Sequence, residues 1–299
     1  MEASYLQSIY DYCRILKLGG VKGSLDVMLE NAISQKWPHD RFLAEILNKE
    51  SDYREKARLR ALITKAHFPQ LKYLEDLDRN ELPKDMAVAL PELETLDFIR
   101  GCQNVIMYGN PGTGKTHTAI GLGIKACQAG YNVLYASVPR LLVEIKETES
   151  QRKLSRLQKR FEKYDLTILD ECGYKSFDKE GAEALFNLIS LRAGIKSIII
   201  TTNLGFDKWD QIFTDKVIAA AIVDRLTFKA YIVDMNGPSY RIKATEKWMK
   251  ERKMKQNQKN EYLCKQISAV QLSLAKLFTF RWQYTKSCSF GEYLQPICF

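Results

Sequence analysis

The feature that most constrains this chain is a glycine-spaced motif between an apolar run and an amphipathic segment. Residues 109–116 read Gly-Asn-Pro-Gly-Thr-Gly-Lys-Thr and match the pattern G-x-x-x-x-G-K-[ST]. The apolar run at 104–108 predicts a buried strand, and residues 115–129 predict a helix that Gly130 closes. Amides of such a loop and the positive end of the following helix surround an anion together. The motif therefore predicts an α/β fold with a phosphate-binding loop.

This loop predicts binding of ATP with Mg²⁺. The Lys115 ammonium supplies a charge for the outer phosphates, and the Thr116 hydroxyl is a Mg²⁺ ligand. The alternative is a glycine-rich turn without function, which the flanking strand and helix disfavour. The residues predicted to bind the nucleotide are Gly109, Asn110, Pro111, Gly112, Thr113, Gly114, Lys115, Thr116 and His117.

A second apolar run, residues 166–169, ends in two neighbouring carboxylates. In an open parallel sheet, ligands bind at the carboxyl ends of the strands. Asp170 is therefore predicted to hold Mg²⁺ together with Thr116, and Glu171 to orient and deprotonate the attacking water. A nucleotide kinase does not need the second acid, whereas an ATPase that uses water does. The alternative is a strand that ends in solvated acids.

Two more residues complete the predicted catalytic set. Asn203 follows a third apolar run and could hydrogen-bond the attacking water, or it could simply cap the next turn. Arg225 is a candidate arginine finger that projects towards a neighbouring subunit, a role worth about 10³–10⁵ in rate. Its alternative is a surface pair with Asp224.

Short apolar runs alternate with helical stretches in the middle of the chain, which predicts a five-stranded parallel sheet with crossover helices. The predicted strands are Asn104–Tyr108, Asn132–Ala136, Leu166–Asp170, Ser197–Thr202 and Ala230–Asp234. The predicted domains are a helical N-terminal domain at 1–75, a linker at 76–97, an ATPase domain at 98–243, and a basic helix with an unassigned tail at 244–299.

Three helices are predicted in the N-terminal domain. The first carries an apolar stripe that Gly19 and Gly20 end, the second covers Ser24–Gln35, and the third covers His39–His67.

Net charge indicates a polyanionic partner. The chain carries a formal charge of +9 with a pI near 9.0, which suits nucleic acid better than a membrane. A segment at 151–160 places cations on one helical face and apolar side chains on the other, so it could track DNA phosphates; a solvated face is the alternative. The cations predicted to bind DNA there are Arg152, Lys153, Arg156, Lys159 and Arg160.

The lack of a visible targeting signal and the spacing of the cysteines predict a cytoplasmic protein. No signal peptide or membrane-spanning run is visible, and none of the seven cysteines forms a C-x-x-C pair. Reduced cysteines are therefore expected.

Several motifs together closely resemble those of the IstB-like ATPases, AAA+ proteins that help a family of bacterial insertion sequences and are related to the DnaC helicase loaders. They are Gly109–His117, Leu169–Tyr174, Thr201–Asn203, Asp224–Leu226 and Ser239–Arg241. The resemblance covers about residues 1–245. It implies an AAA+ core that assembles as a homo-oligomer on double-stranded DNA with ATP and recruits or stimulates a partner transposase. A full AAA+ lid with a second sensing arginine cannot be assigned, and the resemblance does not extend to the tail beyond about residue 257.

Two other functions stay open. A DnaC-like loader would contact a replicative helicase and single-stranded DNA. A metabolic P-loop kinase is disfavoured, because Glu171, Asn203 and Arg225 together suit attack by water.

Overall fold

The structure is a computed structural model that describes residues 5–150, 154–173, 177–213 and 215–258. Short 3₁₀ helices occur at Leu74–Asp76, Arg79–Glu81 and Phe206–Gln211. The α-helices and strands, in chain order, are α1 (Tyr5–Ile15), α2 (Gly19–Ser34), α3 (His39–Ala66), α4 (Lys84–Leu93), α5 (Asp97–Arg100), β1 (Asn104–Tyr108), α6 (Lys115–Gln128), β2 (Val133–Ser137), α7 (Val138–Ser150), α8 (Leu154–Glu162), β3 (Leu166–Cys172), α9 (Lys179–Ser190), β4 (Ser197–Thr202), α10 (Lys216–Thr227) and β5 (Ala230–Asp234).

The five strands form one parallel sheet in the order β2-β3-β4-β1-β5, so the predicted α/β fold with a five-stranded parallel sheet is confirmed. The predicted bounds hold for β1, β4 and β5, whereas β2 is shifted by one residue and β3 runs on to Cys172. The extra length of β3 comes with a register shift against β4 between Leu169 and Cys172.

Helices cover both faces of the sheet, because successive side chains of a strand point to opposite sides. Val105 and Met107 of β1 belong to an apolar cluster that α6, α4, α5 and the end of α3 cover. Ile106, between them, belongs to a second cluster that α7, α8, α9 and α10 cover. The sheet is thus buried on both sides, and its carboxyl edge carries the loops that concern function.

The N-terminal helices correct one prediction. Gly19 and Gly20 do not close the first helix, which ends at Ile15; they are the first residues of α2. A Cβ atom on Gly20 would lie 2.6 Å from Cβ of Tyr53 and 2.7 Å from the Lys49 carbonyl oxygen. The two glycines are therefore required by the close approach of α2 to α3, a contact that local sequence does not reveal.

The segment predicted as a linker contributes to the core. Met86, Leu90 and Leu93 of this segment are all at least 99% buried and pack, together with Leu74 just before it, in the cluster on the α6 side of the sheet. The domain boundaries at 75/76 and 97/98 stay a prediction.

Residues 1–240 form one compact unit, and residues 241–299 form a second. In the second unit, residues 241–258 are helical, and the tail from 259 lies outside the described residues. Within the described ranges, none of the helices is both long and apolar enough to cross a membrane. Cys13, Cys102, Cys127 and Cys172, the cysteines in those ranges, form no disulfide.

Candidate nucleotide site

The glycine motif forms the loop between β1 and α6, as predicted. Gly109, Gly112 and Gly114 all have positive φ, at 134°, 83° and 97°. A Cβ atom on Gly109 would lie 2.6 Å from the Met235 carbonyl carbon, and one on Gly112 would lie 2.2 Å from Ser239 Oγ. Other residues at these two positions would be strained and would also clash, so the path of the loop depends on glycine.

The loop is closed over by the chain that follows β5. The amide of Asn110 donates to Asn236 Oδ1 at 3.1 Å, and the amide of Tyr240 donates to the Gly112 carbonyl at 2.9 Å. Helix α6 begins at Lys115, so its first amides face the concave side of the loop, where an anion is favoured.

Lys115 lies inside the loop. Lys115 is only 7% exposed, and its Nζ donates to the carbonyls of Gly109 and Asn110 at 2.6 Å each. The ammonium is thus held where outer phosphates would sit, and it can exchange these carbonyls for phosphate oxygens.

Asp170 is the centre of a hydroxyl cluster beneath the loop. The Thr116 hydroxyl donates to Asp170 Oδ1 at 3.0 Å, and the Thr201 hydroxyl donates to the same oxygen. The Tyr135 hydroxyl donates to Oδ2 at 2.6 Å. Burial and the bond to Asp170 raise the pKa of Tyr135 far above its usual range, so the phenol stays protonated and remains a donor.

The Thr116 and Asp170 oxygens fit Mg²⁺ by their chemistry. Both are hard oxygen donors, they lie 3.0 Å apart, and they adjoin the phosphate loop. In the part of the chain that the structure describes, no group of three His, Cys, Asp or Glu could hold a metal ion. A Mg²⁺ ion here would therefore complete its coordination with phosphate oxygens and water, as this ion usually does.

Glu171 occupies the bulge in β3. Its φ is +61°, a left-handed conformation that is uncommon for a residue with a side chain, and its carboxylate is exposed at the carboxyl edge of the sheet. Its amide donates to Thr201 Oγ1 at 3.0 Å, and Ser137 Oγ donates to Glu171 Oε2 at 3.3 Å. The bulge lets Asp170 and Glu171 face different directions, one buried against Thr116 and one open to solvent.

Asn203 and Arg225 are placed differently from each other. Asn203 is exposed directly after β4, which lies between β3 and β1, so it is at the same edge as the acidic pair. Arg225 stacks over the Phe186 ring at 4.4 Å, and its Nη1 donates to the Ala221 carbonyl at 3.1 Å. These side-chain contacts of Arg225 are with α9 and α10 and do not include the phosphate loop.

His117 makes a contact that the sequence did not indicate. Its Nε2 lies 2.8 Å from the Tyr73 carbonyl oxygen, which ties the start of α6 to the segment before α4. Tyr135, Ser137 and Thr201 were also missed as site residues.

The predicted DNA-binding cations are only partly described. Arg152 and Lys153 lie outside the described residues, as does Tyr174 of the motif after the acidic pair. Arg156 and Lys159 are exposed on α8. Arg160 forms a two-point ion pair with Glu144, with N–O distances of 2.7 and 3.0 Å.

A parallel sheet of this order, with a phosphate loop after one strand and an acidic pair on another, defines a P-loop protein with an α/β fold. Residues 12–248 match the protein family described as IstB-like ATP binding protein. The chain belongs to this family.

Two relatives come from insertion sequences. A protein of Pseudomonas aeruginosa, named for ATP binding in insertion sequence IS21, is 34% identical over 232 residues, which cover 78% of this chain and 88% of the relative. A protein of Geobacillus stearothermophilus, named likewise for insertion sequence IS5376, is 31% identical over 249 residues, 83% of this chain and 98% of the relative.

Two solved structures are similar at lower identity. DnaA from Aquifex aeolicus bound to AMPPCP is 21% identical with a TM-score of 0.49, over 62% of this chain and 56% of its own. DnaI is 19% identical with a TM-score of 0.47, over 60% of this chain and 92% of its own.

Proposed function

We propose that this chain is a Mg²⁺-dependent ATPase that assembles with ATP on duplex DNA and recruits or stimulates a partner transposase. The observation that carries the ATPase is the contact of Asp170 with Thr116 beneath the phosphate loop, with Glu171 turned outward at the next residue. Membership of the IstB-like family and the insertion-sequence origin of its relatives support the role in transposition.

Each residue of the site has a task in this proposal. Lys115 moves its ammonium from loop carbonyls to the outer phosphates, and the amides at the start of α6 hold the phosphate oxygens. Thr116 and Asp170 would hold Mg²⁺, which when bound neutralises charge on the phosphates. Glu171 orients a water molecule and accepts its proton. Asn203 stabilises that water from the neighbouring strand.

Binding and hydrolysis are separated by two variants. Lys115→Ala is expected to lose ATP binding, because no other cation is placed inside the loop by the contacts described. Glu171→Gln is expected to bind ATP and lose turnover by about 10²-fold or more, since its carboxamide cannot accept the proton. Nucleotide binding by calorimetry and phosphate release measure the two effects. Normal hydrolysis by Glu171→Gln would remove the role of Glu171.

The DNA and transposase roles need their own measurement. Wild-type protein with a slowly hydrolysed ATP analogue is expected to bind duplex DNA more tightly than a single strand of equal length, and the complex is expected to retain a partner transposase. A preference for the single strand together with retention of a replicative helicase would replace this role with that of a helicase loader.

A further inference from the structure

A basic cavity lies where the last turn of α3 meets the end of α8. Its volume is about 450 Å³. Its lining residues are five cations and one tyrosine, and no acid is among them: Lys65, Arg156, Lys159, Arg160, Lys163 and Tyr164. We call it the α3–α8 pocket. Lys65 and Lys163 were not among the predicted DNA-binding residues.

Most of the charge in this pocket is uncompensated. Arg160 is paired with Glu144. For the other four cations, no carboxylate of the described residues lies within ion-pair distance. Asp165, the acid next to Tyr164, is engaged by Lys196 at 2.6 Å and by the Asn132 amide at 3.0 Å. Four positive charges around one concavity raise the local potential and favour an anion there.

Stabilisation of a helix C-terminus does not explain why these cations lie together. Cations near a helix C-terminus offset its partial negative charge. At the end of α8, however, the buried Arg192 already donates to the carbonyls of Phe161 and Tyr164 and continues to those of Asp165 and Ser197. The helix end is satisfied from the inside, and the cations of the pocket face outward.

The pocket is held in place by packing. Leu157 and Phe161 of α8 are at least 97% buried in the core beside the sheet, and Tyr164 is 94% buried. On the other side, Ala66 next to Lys65 is fully buried. The cations are therefore presented by two anchored helices, so a bound anion would meet a preformed arrangement.

We propose that the α3–α8 pocket binds a phosphodiester of the DNA backbone, and that α3 is thereby part of the DNA contact. This inference rests on the DNA-binding role proposed above. The pocket joins the exposed cations Arg156 and Lys159 of α8 to Lys65 of α3, so cations from two helices surround one anion site. Its aromatic residue, Tyr164, is 94% buried, and the Lys65 ammonium lies over its ring at 5.9 Å from the centroid. The ring therefore offers little surface on which a base could stack, so the pocket suits duplex DNA rather than an unstacked single strand.

The test removes the two newly assigned charges. Lys65→Gln, Lys163→Gln and the double variant are compared with the double variant Lys22→Gln/Lys36→Gln, which removes the same charge at exposed positions outside both the pocket and α3. Binding to a labelled mixed-sequence duplex is measured across a salt series, with Mg²⁺ and a slowly hydrolysed ATP analogue. The double pocket variant, which weakens the contact with one phosphodiester, is expected to reduce the slope of log affinity against log salt by up to about one per protomer. Each single variant is expected to fall between the double variant and the wild type, and the control keeps the wild-type slope.

The outcomes distinguish this site from the proposed function. Wild-type binding with equal slopes for the pocket and control variants would overturn the pocket and leave DNA binding intact. If the wild type fails to bind duplex DNA at the lowest salt, both the pocket assignment and the proposed DNA-binding role are wrong. A loss confined to single-stranded DNA would also overturn the assignment. Unchanged ATP binding by the pocket variants verifies that they are folded.

Discussion

At the scale of single residues, the site depends on how firmly Asp170 is held. Two hydroxyls donate to Oδ1, and Tyr135 is the donor to Oδ2 in the described contacts. Asp170 is 99% buried, so its orientation is set by these bonds rather than by water. Tyr135 therefore fixes the direction in which the carboxylate faces Thr116.

Tyr135→Phe tests this. Loss of the bond to Oδ2 lets the carboxylate rotate, and hydrogen bonds to charged groups contribute about 1.5–3 kcal/mol. The Mg²⁺ concentration for half-maximal ATP turnover is expected to rise roughly tenfold, while ATP binding without Mg²⁺ changes little. Tyr231→Phe is the matched control, because its hydroxyl also donates to a carboxylate, Glu92 at 2.7 Å, away from the loop. An unchanged Mg²⁺ requirement in Tyr135→Phe contradicts the interpretation.

The residues of the site that the sequence predicted are those that follow one another along the chain. Gly109 to Thr116 carry a recognisable pattern, and the acids at 170 and 171 follow an apolar strand. Tyr135 and Thr201 contact Asp170 only because β2 and β4 are the neighbours of β3, as the order of the sheet determines. Local sequence does not contain that order. The left-handed conformation of Glu171 likewise comes from a bulge that one strand alone does not indicate.

At the scale of elements, α6 is shaped for close packing against the segment before α4. Gly121 lies on α6, and a Cβ atom there would come 2.5 Å from Leu74 Cδ2 and 2.8 Å from Leu74 Cγ. Because Leu74 is 96% buried, it has little room to move aside.

Gly121→Ala is therefore expected to destabilise the protein. Overpacking costs about 1–3 kcal/mol, which exceeds the gain of about 1 kcal/mol from alanine in a helix. Gly23→Ala in α2 is the control, since its Cβ atom would meet nothing within 4 Å and should stabilise by up to about 1 kcal/mol. Denaturant unfolding measures both. Equal effects of the two substitutions would show that Leu74 can move aside for the added Cβ atom, and would contradict the prediction.

The hydrogen bonds at the start of α2 predict that the stability of the protein depends on pH. Glu50 of α3 accepts hydrogen bonds from the amides of Gly20 and Val21 at 2.8 and 3.3 Å, and it pairs with Arg54. Burial raises the pKa of Glu50, but the bonds to Arg54 and the two amides outweigh it, so the pKa is lowered overall. Ionised Glu50 thus contributes stability above its unfolded-state pKa, and this is lost as pH falls through the folded pKa.

Glu50→Gln measures that contribution. At neutral pH the variant is expected to be less stable by about 1 kcal/mol, comparable to the loss of a helix cap. The difference from wild type should shrink as the pH is lowered from about 7 to about 3, because the wild-type carboxylate becomes protonated. Unfolding by denaturant at several pH values gives the curve. A difference independent of pH would contradict the role of the charge.

At the scale of the whole molecule, the position of Arg225 bears on the proposed assembly. Its side-chain contacts in the described chain are with Phe186 and Ala221 and not with its own phosphate loop. An arginine that serves an active site from outside must reach the nucleotide of a neighbouring subunit.

Mixing experiments test this assignment. Arg225→Ala is expected to lose about 10³-fold or more in ATPase rate with nucleotide binding retained. Addition of the inactive Lys115→Ala protein, which keeps Arg225, should restore part of the activity at mixed interfaces. Mixing with a Lys115→Ala/Arg225→Ala protein is the control. No restoration in the first mixture contradicts action between subunits.

The buried residues ahead of β1 also determine how this protein can be divided. Leu74, Met86, Leu90 and Leu93 are each a large apolar side chain sealed against the sheet, and burial of one such side chain is worth about 1.5–3 kcal/mol. Burial of all four is worth about 6–12 kcal/mol, which lies within the range of about 5–15 kcal/mol that separates most folded proteins from unfolding. A fragment that starts at residue 98 would keep every side chain to which we assign a catalytic role. It would also expose the apolar face of the sheet that these four residues cover, so we expect it to aggregate. The segment from Leu74 to Leu93 is therefore a structural part of the domain that follows it.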